Sequence, residues 1–115
     1  MRIGDSTFDA LQASLQGLGM RRQAAEDNIA NVETPGFRAN RVNFEDSLRS
    51  AIDRGEPLTA TPTVARSVAP TRMNGNNVAI DQEITGLTET ALRHQLVVEA
   101  MNGKFRLLRT SITGQ

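Results

Sequence analysis

The chain has 115 residues, enough for one domain and hardly for two, and its 13 basic residues balance its 13 acidic ones. This balance gives no indication of a nucleic-acid or membrane-surface partner, and the absence of Cys excludes disulfides and thiolate metal sites. Four Phe, with no Trp or Tyr, are few for a compact core. We therefore expect either a domain that is marginal alone or apolar surface that is buried against other chains.

The N-terminal part of the chain carries apolar residues at alternating spacings of three and four, as on one face of an α-helix. The positions are Phe8, Leu11, Leu15, Leu18, Arg22, Ala25, Ile29 and Val32, of which only Arg22 is polar. The spacing predicts a helix over about residues 6–33, capped by one of Asp5, Ser6 and Thr7. We expect it to end near position 32 or 33, because Pro35 disfavours helical backbone at the preceding residue.

The middle of the chain, about residues 34–79, is more polar and rich in Pro. Three apolar residues in it are four positions apart, namely Phe44, Leu48 and Ile52. They predict a short helix over about 43–53, with Asn43 as its cap and Gly55 at its end. The Pro-rich segment after it predicts irregular structure with a short strand over 63–68.

A second helical pattern fills the C-terminal part of the chain and predicts a helix over about 80–113. The positions of this pattern alternate at spacings of four and three, and they are Ile80, Ile84, Leu87, Ala91, His94, Val98, Met101, Phe105, Leu108 and Ile112. The apolar stripe is widened by Leu92, Leu96, Val97 and Leu107. Asn77 or Asp81 is the expected cap, and Gly114 is the expected stop. The fold class is therefore mainly α, with two long terminal helices joined by a short helix and an irregular or short-β segment.

An average spacing of 3.5 residues over several heptads is typical of a coiled-coil contact. One interpretation is a two-helix hairpin that buries this contact within the chain. The wider stripe on the C-terminal helix and the polar middle favour a second interpretation, in which the helices pack against other chains. We call the following predicted contact residues the assembly seam: Phe8, Leu11, Leu15, Leu18, Ile29, Ile84, Leu87, Val98, Met101, Phe105, Leu108 and Ile112.

Residue types that carry catalysis or ligand binding are scarce. The single His, His94, lies at a heptad position and is interpreted as a tolerated polar residue that helps to set helix register. Asp81 and Glu83 are two residues apart and point in different directions on a helix. Arg21 and Arg22 are interpreted as a solvated face, and Arg22 is expected to extend to solvent or to meet a carboxylate. No phosphate loop, stacking aromatic or membrane-spanning run is visible, so we predict no enzyme, cofactor, metal, nucleic-acid or membrane-inserted function.

The stretch NIANVETPGF, residues 28–37, combines a helix stop with a turn. Pro35 and Gly36 suit the central positions of a type II turn, which requires positive φ at Gly36. The stretch resembles the signature that ends the first helix in the family of bacterial flagellar axial rod and hook proteins. The matching residues are Asn28, Asn31, Thr34, Pro35, Gly36 and Phe37. The resemblance continues through NGNN, which contains Asn76 and Asn77, and through the C-terminal helix, and it favours the B-type rod proteins.

The resemblance implies a structural subunit of the proximal flagellar rod that assembles helically through its terminal helices. It implies export without a cleaved signal peptide, and as partners it implies further copies, other rod subunits, and basal-body adaptor and export-gate proteins. The short middle segment leaves no room for the outer domain of larger relatives, and Ala79 stands where the family leads us to expect an acid. The alternative is a homodimeric coiled-coil adaptor or chaperone, which explains the heptads but not the TPGF and GNNV stretches.

Overall fold

The computed structural model describes residues 3–114 and consists of two long helices joined by a small middle unit. The elements are helix α1 Ile3–Ala30, strand β1 Asn40–Asn43, helix α2 Glu45–Asp53, a 3₁₀ helix Pro57–Thr59, strand β2 Thr63–Arg66 and helix α3 Ile80–Thr113. The mainly α architecture with long terminal helices is confirmed. No helix in the described part is long and apolar enough to cross a membrane.

The molecule is a flat rod of 64 × 27 × 14 Å with a radius of gyration of 17.8 Å. A compact domain of this length has a radius of gyration of roughly 13 Å. The accessible surface is 7635 Å², whereas a compact monomer of 12.5 kDa exposes roughly 6,200 Å². The chain therefore leaves more surface uncovered than a protein of its size normally does.

The two long helices form an antiparallel pair. Near the chain ends, the rings of Phe8 and Phe105 lie with their centroids 4.8 Å apart. At the other end of the pair, the side chain of Asn28 donates a hydrogen bond to Glu83 at 2.9 Å. The pair is thus closed by polar groups beside the middle unit and by apolar groups at its open end.

The middle unit packs on α1 through a small apolar core formed by Leu18, Ala24, Val42 and Phe44, with Leu48 and Val97 beside it. Gly17 makes this contact possible, because a Cβ atom there would overlap the ring of Phe44. The antiparallel strands pair Asn40 with Arg66 and Val42 with Val64. Strand β1 was not predicted, because its sequence NRVN has only one apolar residue.

Helix α1 begins and ends earlier than the sequence led us to expect. It already includes residues 5–7, so the prediction that one of Asp5, Ser6 and Thr7 is its cap is wrong. It ends at Ala30 instead of position 32 or 33. The N–H of Asn31 is shared between the carbonyls of Asp27 and Asn28, both at 3.1 Å, and this tightening of the last turn marks the end of the α-helix.

Two further cap predictions are wrong: Asn43 does not cap α2, and neither Asn77 nor Asp81 caps α3, since Asp81 lies inside that helix. Asn43 belongs to β1, and Phe44 stands at the N-cap of α2 without a side-chain bond. Ala79 is the N-cap of α3, also without a side-chain bond, while Asn77 bonds the middle unit. The stops are confirmed, since Gly55 and Gly114 both have φ of 76°. Strand β2 ends two residues before the predicted position 68.

Candidate functional site

The two turn segments of the family resemblance lie against each other. The N–H of Gly36 donates to the carbonyl of Asn74 at 2.8 Å. Gly75 lies so close that a Cβ atom there would be 3.2 Å from the Cα of Gly36. Both glycines have positive φ, 77° at Gly36 and 81° at Gly75. The predicted positive φ at Gly36 is confirmed, and the N–H of Phe37 closes the turn on the carbonyl of Thr34 at 3.2 Å.

Asn76 is fully buried and uses its whole hydrogen-bonding capacity. Its Nδ2 donates to the carbonyls of Asn31 and Thr34, both at 2.8 Å. Its Oδ1 accepts from the N–H of Val78 and from the guanidinium of Arg72, both at 2.8 Å. One side chain thereby holds the end of α1 to the segment that enters α3.

Asn77 is buried in the same way and joins the two sides of the small sheet. Its Oδ1 accepts from the N–H of Ala39 at 2.7 Å, just before β1. Its Nδ2 donates to the carbonyls of Ser67 at 3.2 Å and Ala69 at 3.0 Å, just after β2. This second asparagine therefore fixes the middle unit to the entry of α3.

Asn28, the third buried asparagine, pairs with β1 as a neighbouring strand would. Its Oδ1 accepts from the N–H of Asn40 at 2.8 Å, and its Nδ2 donates to the carbonyl of Asn40 at 3.1 Å. The same Nδ2 reaches Glu83, a carboxylate that is 4% exposed and forms an ion pair with Arg41 at 2.9 Å. We call Asn28, Asn76 and Asn77 with the backbone groups they bond the asparagine junction.

The remaining motif residues support this junction from the surface. The hydroxyl of Thr34 donates to Oδ1 of Asn31 at 3.0 Å, and Nδ2 of Asn31 donates to the carbonyl of Asp27 at 2.8 Å. Pro35 is exposed at the tip of the turn. The half-buried ring of Phe37 lies under the guanidinium of Arg66, 5.1 Å from it, so the turn is tied to β2.

A second polar contact joins α1 to α2. Arg21 donates to both carboxylate oxygens of Glu45 at 2.7 Å and to the carbonyl of Val42 at 2.9 Å. Its guanidinium also lies 4.7 Å above the ring of Phe44. Arg93 of α3 approaches the same carboxylate at 3.7 Å. The interpretation of Arg21 as a solvated residue is therefore wrong, whereas Arg22 is exposed as expected.

The hydrogen bonds from Arg21 lower the pKa of Glu45 from 4.5 to about 2, against the opposing effect of burial. Because the folded protein holds this carboxylate in its ionised form, the contribution to stability is fully present above pH 4.5 and is lost as the pH falls towards 2. We expect the free energy of unfolding in urea to fall over this range more steeply in the wild type than in Glu45→Gln. The difference should be at most about 1 kcal/mol, since the pair is partly exposed. Parallel curves for the two proteins would contradict the assignment.

The structure divides the assembly seam unequally between the two helices. On α1, Leu18 is buried, and Phe8, Leu11, Leu15 and Ile29 are half-buried. On α3, Leu87, Val98 and Met101 are half-buried, whereas Ile84, Phe105, Leu108 and Ile112 are exposed. Leu92, Leu96 and Leu107 are 58%, 65% and 67% exposed. Of the two long helices, α3 therefore carries nearly all of the exposed large apolar side chains.

Comparison with known proteins decides the family. No family model matches the chain. The flagellar basal body rod protein FlgB of Bacillus subtilis is 31% identical over 127 aligned positions, which cover 99% of this chain and 98% of that protein. This chain belongs to the FlgB family of flagellar basal body rod proteins. FlgB of Escherichia coli is 28% identical over 89% of this chain and 91% of its own, and FlgB of Borrelia hermsii is 29% identical over 92% and 95%.

Membership in the FlgB family confirms the resemblance that was predicted from the TPGF and GNNV stretches. Three residues that hold the fold together, Arg21, Glu83 and Gly17, were not predicted to do so from the sequence. Gly17 carried a usable signal, because a Gly in the middle of a helix costs stability and usually has a packing reason. Arg21 and Glu83 carried no such signal in the sequence. Arg21 bonds Glu45, which is 24 residues away, and Glu83 bonds Arg41, which is 42 residues away. Among the described residues, no group of three His, Asp or Glu side chains is placed to hold a metal ion.

Proposed function

We propose that this FlgB-family chain is a structural subunit of the proximal rod of the bacterial flagellar basal body and that its terminal helices pack with those of neighbouring subunits into a helical tube. The names of its relatives support the rod assignment. As a member of this family the chain is a structural protein and not an enzyme. The partners in this proposal are further copies, other rod subunits, and adaptor and export-gate proteins of the basal body. The proposal includes export without a cleaved signal peptide.

The observation that carries the assembly proposal is the set of large apolar side chains that α3 leaves exposed. Seven large apolar side chains on this helix are between 42% and 84% exposed, namely Ile84, Leu92, Leu96, Phe105, Leu107, Leu108 and Ile112. An accumulation of exposed apolar side chains along one helix indicates an interaction site in soluble proteins. The polar groups of the asparagine junction already have hydrogen-bond partners within the chain. Binding of a partner therefore gains most free energy by burying the exposed apolar side chains of α3.

Sedimentation of the purified chain at increasing concentration tests this proposal. We expect species larger than dimers to grow with concentration, because a subunit of a helical tube makes contacts that do not close. The chain should also be present in the secreted fraction of flagellated cells. Dimers at every concentration, together with no secretion, would contradict the proposal and favour the adaptor.

The turn at Gly36 gives a prediction about assembly. A Val at this position must adopt φ near 77°, which is strained for a β-branched residue even though no described atom lies within 4 Å of where its Cβ would be. We expect Gly36→Val to abolish swimming while the subunit is still made. Gly36→Asn is the matched control, because Asn tolerates positive φ, and it should retain most of the motility. Normal swimming in Gly36→Val would show that assembly does not depend on this turn.

A further inference from the structure

Helix α3 exposes two different apolar stripes on different flanks. The first stripe consists of Ile84, Ala91, Val98 and Phe105, which are seven residues apart. The second stripe consists of Leu92, Leu96 and Leu107. At 100° per residue the two stripes are separated by roughly 140° around the helix. A helix with two such stripes can contact one neighbour with each flank, which is the arrangement of a heterologous interface.

A notch lies between α1 and α3 on the flank of the first stripe. It has a volume of about 160 Å³, and it is lined by Leu18, Gly19, Arg22, Thr90, Ala91 and His94. Gly19 adds no side chain to the notch, and no atom of the described residues lies within 4 Å of the place where its Cβ would be. A cavity of ~150 Å³ accommodates an apolar group as large as benzene. The notch is therefore large enough for the side chain of a Leu.

Charges on the two flanks are complementary. Arg22 is exposed at the rim of the notch and has no ion pair among the described residues. Glu89 is exposed and lies three residues before Leu92, so both side chains project from the same side of α3. A Leu92 side chain that enters the notch of another copy brings Glu89 close to that rim.

The orientation of the second copy follows from the antiparallel packing of α1 and α3. The contacts Asn28–Glu83 and Phe8–Phe105 set the antiparallel register, and by this register Arg22 is level with Thr90, whereas His94 lies one turn further along α3. Glu89 precedes Leu92 in the chain. With Leu92 in the notch, Glu89 therefore lies next to Arg22 of the other copy only if the two α3 helices run parallel with little shift along their axes. An antiparallel second copy would place Glu89 beyond His94.

We propose that Leu92 of one copy occupies the Gly19–Ala91 notch of the next copy, with Glu89 paired to Arg22 and the α3 helices parallel. This contact rests on the proposed function and specifies which faces meet. Each copy offers one notch and one Leu92 knob on different flanks. Successive copies therefore join in one direction, and the contact is heterologous rather than two-fold symmetric.

Cysteine cross-linking in purified basal bodies tests the contact, because the chain has no Cys of its own. A short bismaleimide is added to basal bodies that contain Gly19→Cys together with Leu92→Cys. We expect a ladder of covalent multimers of the subunit. Basal bodies with either single variant alone should give no cross-linked species. Cells that make both single variants should give covalent dimers only, because each copy then carries one Cys. The matched control combines Gly19→Cys with Arg49→Cys, an exposed position on α2, and should give no ladder.

The outcomes separate the contact from the proposed function. Incorporation of the double variant without a ladder, or dimers from either single variant alone, would overturn the contact and leave the rod assignment standing. Absence of the wild-type subunit from basal bodies would overturn both. Charge reversal adds a second measurement in the same double-Cys chain. Arg22→Glu and Glu89→Arg should each lower the cross-linked yield about threefold, the size expected of an exposed ion pair, and should restore it when combined. Equal yields in all four chains would refute the ion pair and the register that it defines.

Discussion

Val98→Asp and Phe105→Asp are each expected to exclude the subunit from basal bodies. Val98 is half-buried, and Phe105 is 57% exposed although its ring touches Phe8. Burial against a neighbouring helix should stabilise the assembled state by up to roughly 1.5–3 kcal/mol for Phe105 and by less for Val98, which is already half-buried in the chain. An Asp forfeits that gain and also places a charge in a dry contact. The same loss is repeated in every copy, so we expect an almost complete loss of incorporation and of swimming.

The matched control is Gln95→Asp, which places the same charge at an exposed position three residues before Val98. Surface changes of this kind usually alter stability by no more than about 0.5 kcal/mol, so this variant should assemble and swim. Secretion should persist in all three variants, because we expect the export determinant near the N-terminus. The measurement is the subunit content of the secreted and basal-body fractions. Equal incorporation of all three variants would show that the predicted seam is not an assembly contact.

Asn76→Leu is expected to lower the free energy of unfolding by at least about 3 kcal/mol. The side chain keeps nearly the same size, but the buried N–H of Val78 loses its partner, and the carbonyls of Asn31 and Thr34 each lose one of two hydrogen bonds. Each lost hydrogen bond contributes about 0.5–1.5 kcal/mol. A buried polar group without a partner costs about 1–3 kcal/mol. For a rod-shaped domain with a small core, such a loss should separate the end of α1 from the entry of α3.

Asn102→Leu makes the same chemical change at an exposed position of α3 and should change stability by no more than about 0.5 kcal/mol. Urea unfolding followed by circular dichroism compares the two variants with the wild type. Losses of similar size would mean that the asparagine junction does not hold the helices together.

The long helices and the turn were predictable because their signals are local. Heptad spacing, the pair Pro35–Gly36 and the stop at Gly114 each act within a few residues of chain. The partners of Arg21 and Glu83 were not predictable, because they depend on how distant segments fold together. Strand β1 was missed for the same reason, since the amide of Asn28 and the strand β2 hold it in place.

The face that α3 turns towards α1 differs from the heptad face for a physical reason. Glu83 and Thr90 are the buried residues of α3, although neither belongs to the apolar pattern. Glu83 must reach Asn28 and Arg41, and a buried carboxylate is tolerated only with such partners. With Glu83 turned towards these partners, Ile84 and Ala91 lie exposed on the flank of α3. The buried face of the helix thus includes a polar contact that the apolar pattern does not contain.

The central claim is that this chain is a structural part of the rod. Basal bodies purified from flagellated cells and sheared free of their filaments test it most directly, by detection of the subunit with a specific antibody. We predict that the subunit remains with the sheared basal bodies and is absent from basal-body fractions of cells that make only Phe105→Asp. Basal bodies that lack the wild-type subunit while the cells and the secreted fraction contain it would contradict the account.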